Sequence, residues 1–282
     1  ARLAGSKKHS KDCFLFICEG DSAIGTVHTA IVNKATKLGG YDKCGTFSIQ
    51  GVPINARKKI TKFVNDGKST IIRNADLVAN ERLTSLVKVL GLDYNRTYEE
   101  QSDIDTLRYG YIVAATDQDD DGKGNIFGLL LNFFALFWPA LVKRGYVKRL
   151  NTPIIRAFPK KKGTKKNPNK ILTFYSISKY EEFVASNYKS KGGVDDDYRV
   201  SYFKGLGTHK KHYIPYMFRD IKTKLITVVW DVLGENNRED MYVKIVWPRK
   251  TILSTPVSSE YADTTQKNIT VTEQLMIDTK AY

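Results

Sequence analysis

The chain has 282 residues, enough for one large domain or two ordinary ones with ample core. Its 45 lysines and arginines against 30 aspartates and glutamates leave a net charge of +15 and a pI near 9.5, a balance that favours a polyanionic partner. The three cysteines, Cys13, Cys18 and Cys44, give neither a paired disulfide framework nor a zinc-type cluster, and no signal-peptide pattern is visible, so reduced thiols in an intracellular protein are expected.

Phe14-Leu-Phe-Ile-Cys18 is a short apolar run bounded by Glu19-Gly20, the pattern of a buried strand ending in a tight turn. Asp21-Ser22 is placed to cap a helix running to about residue 37, which Gly39-Gly40 terminates. Residues 46–49 read as a second strand ending at Gly51, and residues 60–90 as helical pieces broken near Asp66-Gly67. Residues 109–116 read as the next strand, followed by Asp117-Gln-Asp-Asp-Asp-Gly122 and an apolar helix from about Ile126. Residues 126–142 are apolar enough to suggest a membrane span. They are short for one, however, contain Asn132 and Pro139 and follow a carboxylate cluster, so a buried core helix is expected and no membrane partner. Farther along, residues 146–158 look extended, with residues 171–177 as an antiparallel partner and a charged, turn-rich hairpin tip at 159–170 between them. Residues 179–188 are helix-like, residues 198–203 form a strand entering Lys204-Gly-Leu-Gly-Thr208, and a helix is expected over about 209–232. Strands alternating with helices predict an α/β fold with a mostly parallel, doubly wound sheet. Sites in such sheets form beyond the carboxyl ends of the strands, where Glu19 and the Asp117 cluster both fall.

The acidic run places Asp117, Asp119 and Asp121 alternately at the end of a buried strand. Burying an unpaired carboxylate is costly and like charges this close repel, so a cation resolves the conflict. An all-oxygen site favours Mg²⁺ or another hard divalent ion. The spacing also matches the start of an EF-hand calcium loop. The twelfth loop position, which needs a bidentate glutamate, is Gly128, and the segment before the run is strand-like, so that reading fails. Charge is unevenly spread: residues 143–170 hold eleven basic residues and no acidic one, while eight carboxylates fall between Glu99 and Asp121. An acidic metal site inside a basic protein suggests phosphate chemistry on nucleic acid. Lys204, beside a glycine on a Gly-Leu-Gly turn, allows backbone and ammonium to approach a phosphate closely. The lysines of the 159–170 tip are accounted for equally well by a solvated hairpin.

Taken together, Glu19-Gly-Asp-Ser-Ala23 and the aspartate run resemble the TOPRIM domain shared by topoisomerases, primases and some nucleases. Leu107-Arg-Tyr-Gly-Tyr-Ile112, Gly128-Leu-Leu-Leu-Asn-Phe133, Asn151-Thr-Pro-Ile154 and Tyr202-Phe-Lys-Gly-Leu-Gly-Thr208 resemble, in order and spacing, the type IIA DNA topoisomerases of eukaryotic and viral type over nearly the whole chain. The resemblance implies a Rossmann-like, mostly parallel TOPRIM sheet with flanking helices plus a C-terminal α+β extension. Residues 1–208 would be the metal-binding domain, including the basic hairpin, and residues 209–282 an extension leading to a winged-helix domain. It also implies that the chain is the metal-binding portion of an ATP-dependent enzyme that cleaves, passes and reseals double-stranded DNA as a homodimer. Glu19 and Asp117 would hold the Mg²⁺ nearest the scissile phosphate, Asp117 and Asp119 a second ion, and Asp121 would complete the cluster; Mn²⁺ or Ca²⁺ would substitute in binding. Catalytic roles would fall to Glu19, Asp117 and Asp119, and DNA contacts to Lys204, Asn55 and Arg57.

The same resemblance places the nucleophilic tyrosine and the ATP site outside this chain, so the 282 residues alone are not expected to relax DNA. Arg108-Tyr109 has the look of the catalytic pair but lies on the strand leading into the aspartates, where the family has a structural tyrosine. Two departures matter. Ser48-Ile-Gln-Gly-Val-Pro-Ile-Asn55 stands where cellular members carry Pro-Leu-Arg-Gly-Lys-x-Leu-Asn, so Gln50 and Val52 replace two basic residues. Lys123-Gly-Asn125 replaces a Ser-His pair with one extra residue. A divergent member encoded by a large cytoplasmic DNA virus fits these changes. Localisation would then be at replication sites in the host cytoplasm, and the nucleus for a cellular source. A TOPRIM nuclease or primase is the alternative enzyme class but leaves the 151–154 and 202–208 matches unexplained. A basic nucleic-acid-binding module with a structural Ca²⁺ is the non-enzymatic alternative.

Overall fold

The computed structural model describes residues 10–65, 68–117, 125–161, 170–188, 193–203, 205–229 and 268–270. Strand β1 (Phe14–Cys18) leads through Glu19 and Gly20 into helix α1 (Asp21–Val32). Gly20 is the N-cap, so Asp21 lies within the first turn, where a carboxylate suits the helix dipole, rather than capping it. The helix also ends earlier than expected, at Val32; a turn of 3-10 helix, Lys34–Thr36, follows, with the Asn33 side chain accepting from the Ala35 N–H. Helix α2 (Gly40–Lys43) then precedes β2 (Cys44–Ser48).

The helical reading of residues 60–74 is overturned. β3 (Ile60–Asn65) and β4 (Lys68–Arg73) are antiparallel partners, with Asn65 opposite Lys68. Helix begins at α3 (Ala75–Ala79) and α4 (Glu81–Leu90), started by Asn74 and Asn80, whose side-chain oxygens accept from the N–H groups of Leu77 and Leu83. Gly91, at φ 75°, closes α4 in the left-handed conformation that glycine adopts without strain. After α5 (Gln101–Ile104) comes β5 (Tyr111–Ala115), and then the apolar helix α6 (Phe127–Phe137). Residues 127–135 of α6 are buried, as expected of a core helix, and among the described residues no helix is long and apolar enough to cross a membrane. Trp138 ends α6, and Pro139 starts α7 (Pro139–Lys143) at a position where its missing N–H costs nothing.

The extended stretch at 146–158 divides into β6 (Val147–Leu150) and β7 (Ile155–Pro159), which join different sheets. β8 (Leu172–Phe174) pairs antiparallel with β7 as expected, α8 (Ile177–Asn187) follows its Ser176 cap, and α9 (Val194–Asp197) precedes β9 (Tyr198–Tyr202). A second correction concerns residues 209–232. α10 (Ile214–Phe218) is a short helix, and Leu225–Val229 is strand β10. A last strand, β11 (Asn268–Thr270), pairs with β10.

The main sheet has the order β11-β10-β6-β5-β1-β2. β2, β1, β5 and β6 run parallel, and β10 is antiparallel to β6. This is the mostly parallel α/β sheet that the sequence predicts. β1 is buried throughout because each of its faces feeds a separate core. Leu15 and Ile17 pack with residues of α4, α6 and α7, while Phe14, Phe16 and Cys18 pack with α1 and α10. β7 sits between β8 and β9 in a smaller antiparallel sheet, whose core includes Ile155, Tyr180 and Val194. Asn151 and Ile154 link the two sheets, through Asn151 N–H to the Lys224 carbonyl (2.9 Å) and Ile154 N–H to the Phe174 carbonyl (2.9 Å).

Gly110 enters β5 with its N–H on the Cys13 carbonyl (2.8 Å), and a Cβ there would collide with the backbone carbonyl of Lys11. Because the obstacle is backbone rather than a movable side chain, Gly110→Ala is expected to destabilise the fold by about 2–3 kcal/mol. In thermal melts this corresponds to a fall of roughly 4–12 °C; an unchanged Tm would contradict it.

Candidate functional site

In-register pairing of β1 and β5 sets Cys18 beside Ala115. Glu19, one residue beyond its partner, and Asp117, two beyond, therefore leave the sheet at the same carboxyl edge. The chain after β2 reinforces this edge: Ile49 donates its N–H to the Cys18 carbonyl (3.0 Å) and Gly51 to the Glu19 carbonyl (2.9 Å). Glu19 and Asp117 line one cavity of about 440 Å³ together with Ser22, Gln50, Gly51, Gly205, Gly207 and Thr208.

The far wall of that cavity is the Gly-Leu-Gly-Thr segment. Leu206 donates its N–H to Asp117 Oδ1 (2.8 Å) while its side chain is buried in the core beside α1. Its carbonyl accepts from Thr26 Oγ1 of α1 (3.3 Å), and Thr208 Oγ1 donates to the Gly205 carbonyl (2.7 Å). Both glycines are required by close approach. A Cβ on Gly205 would strike the Asp117 carboxylate, and one on Gly207 would strike Ser22 Oγ. The glycines are thus explained by the protein's own carboxylate and α1, whereas the sequence marks the segment by Lys204 beside a glycine and by its resemblance to the family motif. Phe203 and His209 stack with ring centroids 4.1 Å apart at 17°, closing the base of the segment.

Asp119, Asp121 and Lys204 lie outside the described residues. Among the described residues no group of three or more His, Cys, Asp or Glu side chains gathers to hold an ion. Glu19 and Asp117 nonetheless supply hard oxygen donors to one open cavity, a donor chemistry that fits a divalent cation of the Mg²⁺ class. Asn55 and Arg57 are brought together on the 3-10 turn Ala56–Lys59, against α6. Asn55 Oδ1 accepts from Arg57 N–H (3.2 Å) and from Asn132 Nδ2 (3.2 Å), and Arg57 Nε donates to Asn132 Oδ1 (2.9 Å). Asn132 is fully buried in α6. Unpaired, its amide would cost about 2–7 kcal/mol, so this network explains a polar residue within an apolar helix. Tyr109 is buried with its hydroxyl against Gly45, and burial raises its pKa, an environment unlike that of an exposed nucleophile.

Comparison with known proteins adds an independent line. Residues 150–278 match the family described as the C-terminal associated domain of TOPRIM. The chain is 38% identical to the DNA topoisomerase 2 of African swine fever virus (strain Badajoz 1971 Vero-adapted), over 100% of this chain and 23% of that protein. It is 32% identical to the DNA topoisomerase 2 top-2 of Caenorhabditis elegans, over 86% of this chain and 14% of that protein. The chain therefore spans about a quarter or less of the length of these relatives. Among solved structures, it resembles the Plasmodium falciparum topoisomerase II DNA-binding, cleavage and re-ligation domain, with a TM-score of 0.73 and 26% identity over 97% of this chain and 33% of that one.

His209 provides a pH test of the segment's anchorage. Burial, reinforced by the charge of Arg156, lowers its pKa from 6.5 to about 4, and among the described residues its Nδ1 has no hydrogen-bond partner. The native state therefore holds a neutral ring where the unfolded chain binds a proton below about pH 6.5. Stability from this residue is intact above that pH and falls as pH drops towards 4, by about 3 kcal/mol in all. Urea denaturation at pH 7, 5.5 and 4 is expected to show that loss in the wild type and not in His209→Phe. Parallel pH profiles for the two proteins would contradict it.

Proposed function

We propose, from the chain's membership of the TOPRIM-containing type IIA DNA topoisomerases, that it supplies the metal-binding half of the DNA cleavage and resealing site of a larger ATP-dependent enzyme. The observation that carries this reading is the placement of Glu19 and Asp117 at the ends of adjacent parallel strands, in one cavity walled by the Gly-Leu-Gly-Thr segment. Glu19 and Asp117 would hold Mg²⁺, with Asp119 and Asp121 completing the acidic set. Bound there, Mg²⁺ supplies charge stabilisation for the 3′-oxygen that leaves when a phosphodiester is cleaved.

The chain's own residues have distinct tasks. The Leu206 N–H fixes the direction of the Asp117 carboxylate, and the Gly51 N–H fixes the backbone of Glu19. Glu19 would also take up the proton when the 3′-hydroxyl attacks during resealing. Lys204, Asn55 and Arg57 would contact the DNA backbone. The attacking tyrosine and the ATP-hydrolysing region would come from elsewhere in the full-length homodimer. The match of residues 150–278 to the TOPRIM-associated C-terminal domain favours this reading over a nuclease or primase.

In the full-length enzyme, Glu19→Ala and Asp117→Ala are each expected to reduce Mg²⁺-dependent cleavage of supercoiled DNA by more than about 100-fold, beyond the loss typical of an outer-shell metal partner. DNA affinity measured without Mg²⁺ is expected to be largely retained. Near-normal cleavage by both variants would refute the assignment. Tight, Ca²⁺-selective binding by the unmutated protein would favour a structural ion instead.

A further inference from the structure

We propose that Arg82, held at the cavity rim by Gln50, is a DNA phosphate-binding residue of this site. The inference rests on the reading of the cavity as a site for a DNA phosphodiester. Gln50 lines the same cavity as Glu19 and Asp117. Its backbone adopts φ 53°, a left-handed conformation rare for a residue with a Cβ, and such conformations gather at binding and catalytic sites. The following residue, Gly51 (φ 95°), ties this corner to the Glu19 carbonyl. Position 50 is therefore fixed by the same backbone that fixes Glu19.

Gln50 Oε1 accepts a hydrogen bond from Arg82 Nη2. Arg82 lies in the first turn of α4, whose start is set by the Asn80 cap, and both side chains are exposed. Among the described residues Arg82 makes no ion pair with a carboxylate. A neutral amide oxygen orients the guanidinium without cancelling its charge. Arginine carries five N–H donors in a fixed fork, so four remain after one is given to Gln50, enough for bidentate contact with phosphate oxygens. Gln50 is then a positioning residue. Sequence comparison alone treats it as a lost cation, whereas the structure returns a cation to the same rim from a helix 32 positions away. An arginine introduced at position 50 would meet Arg82 and be repelled by it, rather than adding a further contact.

The test is equilibrium binding of a mixed-sequence 30-base-pair duplex to the 282-residue chain across a salt series, repeated with the full-length protein. Arg82→Ala is expected to weaken binding roughly fivefold at low salt and to reduce the slope of log K against log salt by about 0.9, the signature of one lost phosphate contact. Gln50→Ala is expected to weaken binding less, with the slope retained because the charge remains. Gln50→Arg combined with Arg82→Glu should restore the slope that Arg82→Glu alone lowers. Thermal melts check that each variant is folded, as the exposure of both side chains predicts. A wild-type slope and affinity in Arg82→Ala would overturn the proposal and leave the DNA reading intact. Binding by the unmutated chain that does not depend on salt would overturn both.

Discussion

Parallel pairing of β1 with β5 sets the position of nearly everything else at the sheet's carboxyl edge. The two strands carry apolar side chains on both faces, and each face is claimed by a different core. A slip of one residue would send Ile112 and Ala114 to the face now filled by Val113 and Ala115, exchanging the contents of two packed layers. Core packing thus fixes the register, and the register fixes how far Glu19 and Asp117 project beyond the sheet. Neither carboxylate needs a partner in sequence to be brought near the other; close-packed hydrophobic side chains align them. Because interiors are packed at crystal-like density, the alignment is stiff.

A carboxylate at the end of an apolar strand still has to be directed, and Leu206 does this with both of its ends. Its backbone N–H meets Asp117, and its side chain, 1% exposed, is anchored in the core beside α1. Burying a leucine contributes roughly 1.5–3 kcal/mol, more than the typical net worth of the hydrogen bond it carries into place. The apolar anchor is therefore the stronger component, and the polar contact follows from it. Thr26 holding the Leu206 carbonyl and the Phe203–His209 stack at the base make the segment part of the rigid scaffold. A backbone N–H is also a neutral donor. It aims the carboxylate without bringing a counter-charge of its own.

The sequence was most legible where pattern and chemistry coincide. Phe14-Leu-Phe-Ile-Cys18 and the 126–137 run announce a buried strand and a core helix by apolar continuity, and the acidic residues at strand ends stand out against them. Residues 60–73 were misread because lysines and asparagine interrupt any period of two. The sounder signal was β-branched residues on both sides of Asp66-Gly67, a dipeptide that favours tight hairpins. Leu225-Ile-Thr-Val-Val229 was absorbed into a preceding helical reading because a short buried strand and a helix segment share the same apolar composition. Only the sheet distinguishes them, through the pairing of Leu225 with Leu150. Long-range contacts were beyond any local pattern: Leu206 to Asp117 spans 89 positions, Arg57 to Asn132 75, and Arg82 to Gln50 32.

The charge of the chain poses a conflict that this geometry helps to resolve. A net charge of +15 attracts a polyanion over long range, yet the cavity itself is lined by carboxylates that repel a phosphate at short range. At 4 Å, one such pair would oppose approach by about 4 kcal/mol in a partly solvated setting. Attraction summed over distant lysines is screened within about 10 Å at ordinary salt and cannot be aimed at one phosphate. A bound cation and cationic side chains at the rim can. Such a rim must hold its charges close to the carboxylates without pairing to them, since a closed ion pair would neutralise both. Amide side chains meet this demand because they orient a guanidinium and carry no charge. Gln50 orients Arg82 in this way at the surface, and Asn132 also directs a guanidinium, that of Arg57, from within the core. The two amides look unrelated in sequence, one a polar interruption of an apolar helix and the other a missing arginine. Physically they do the same thing: each fixes the direction of a guanidinium without adding a charge.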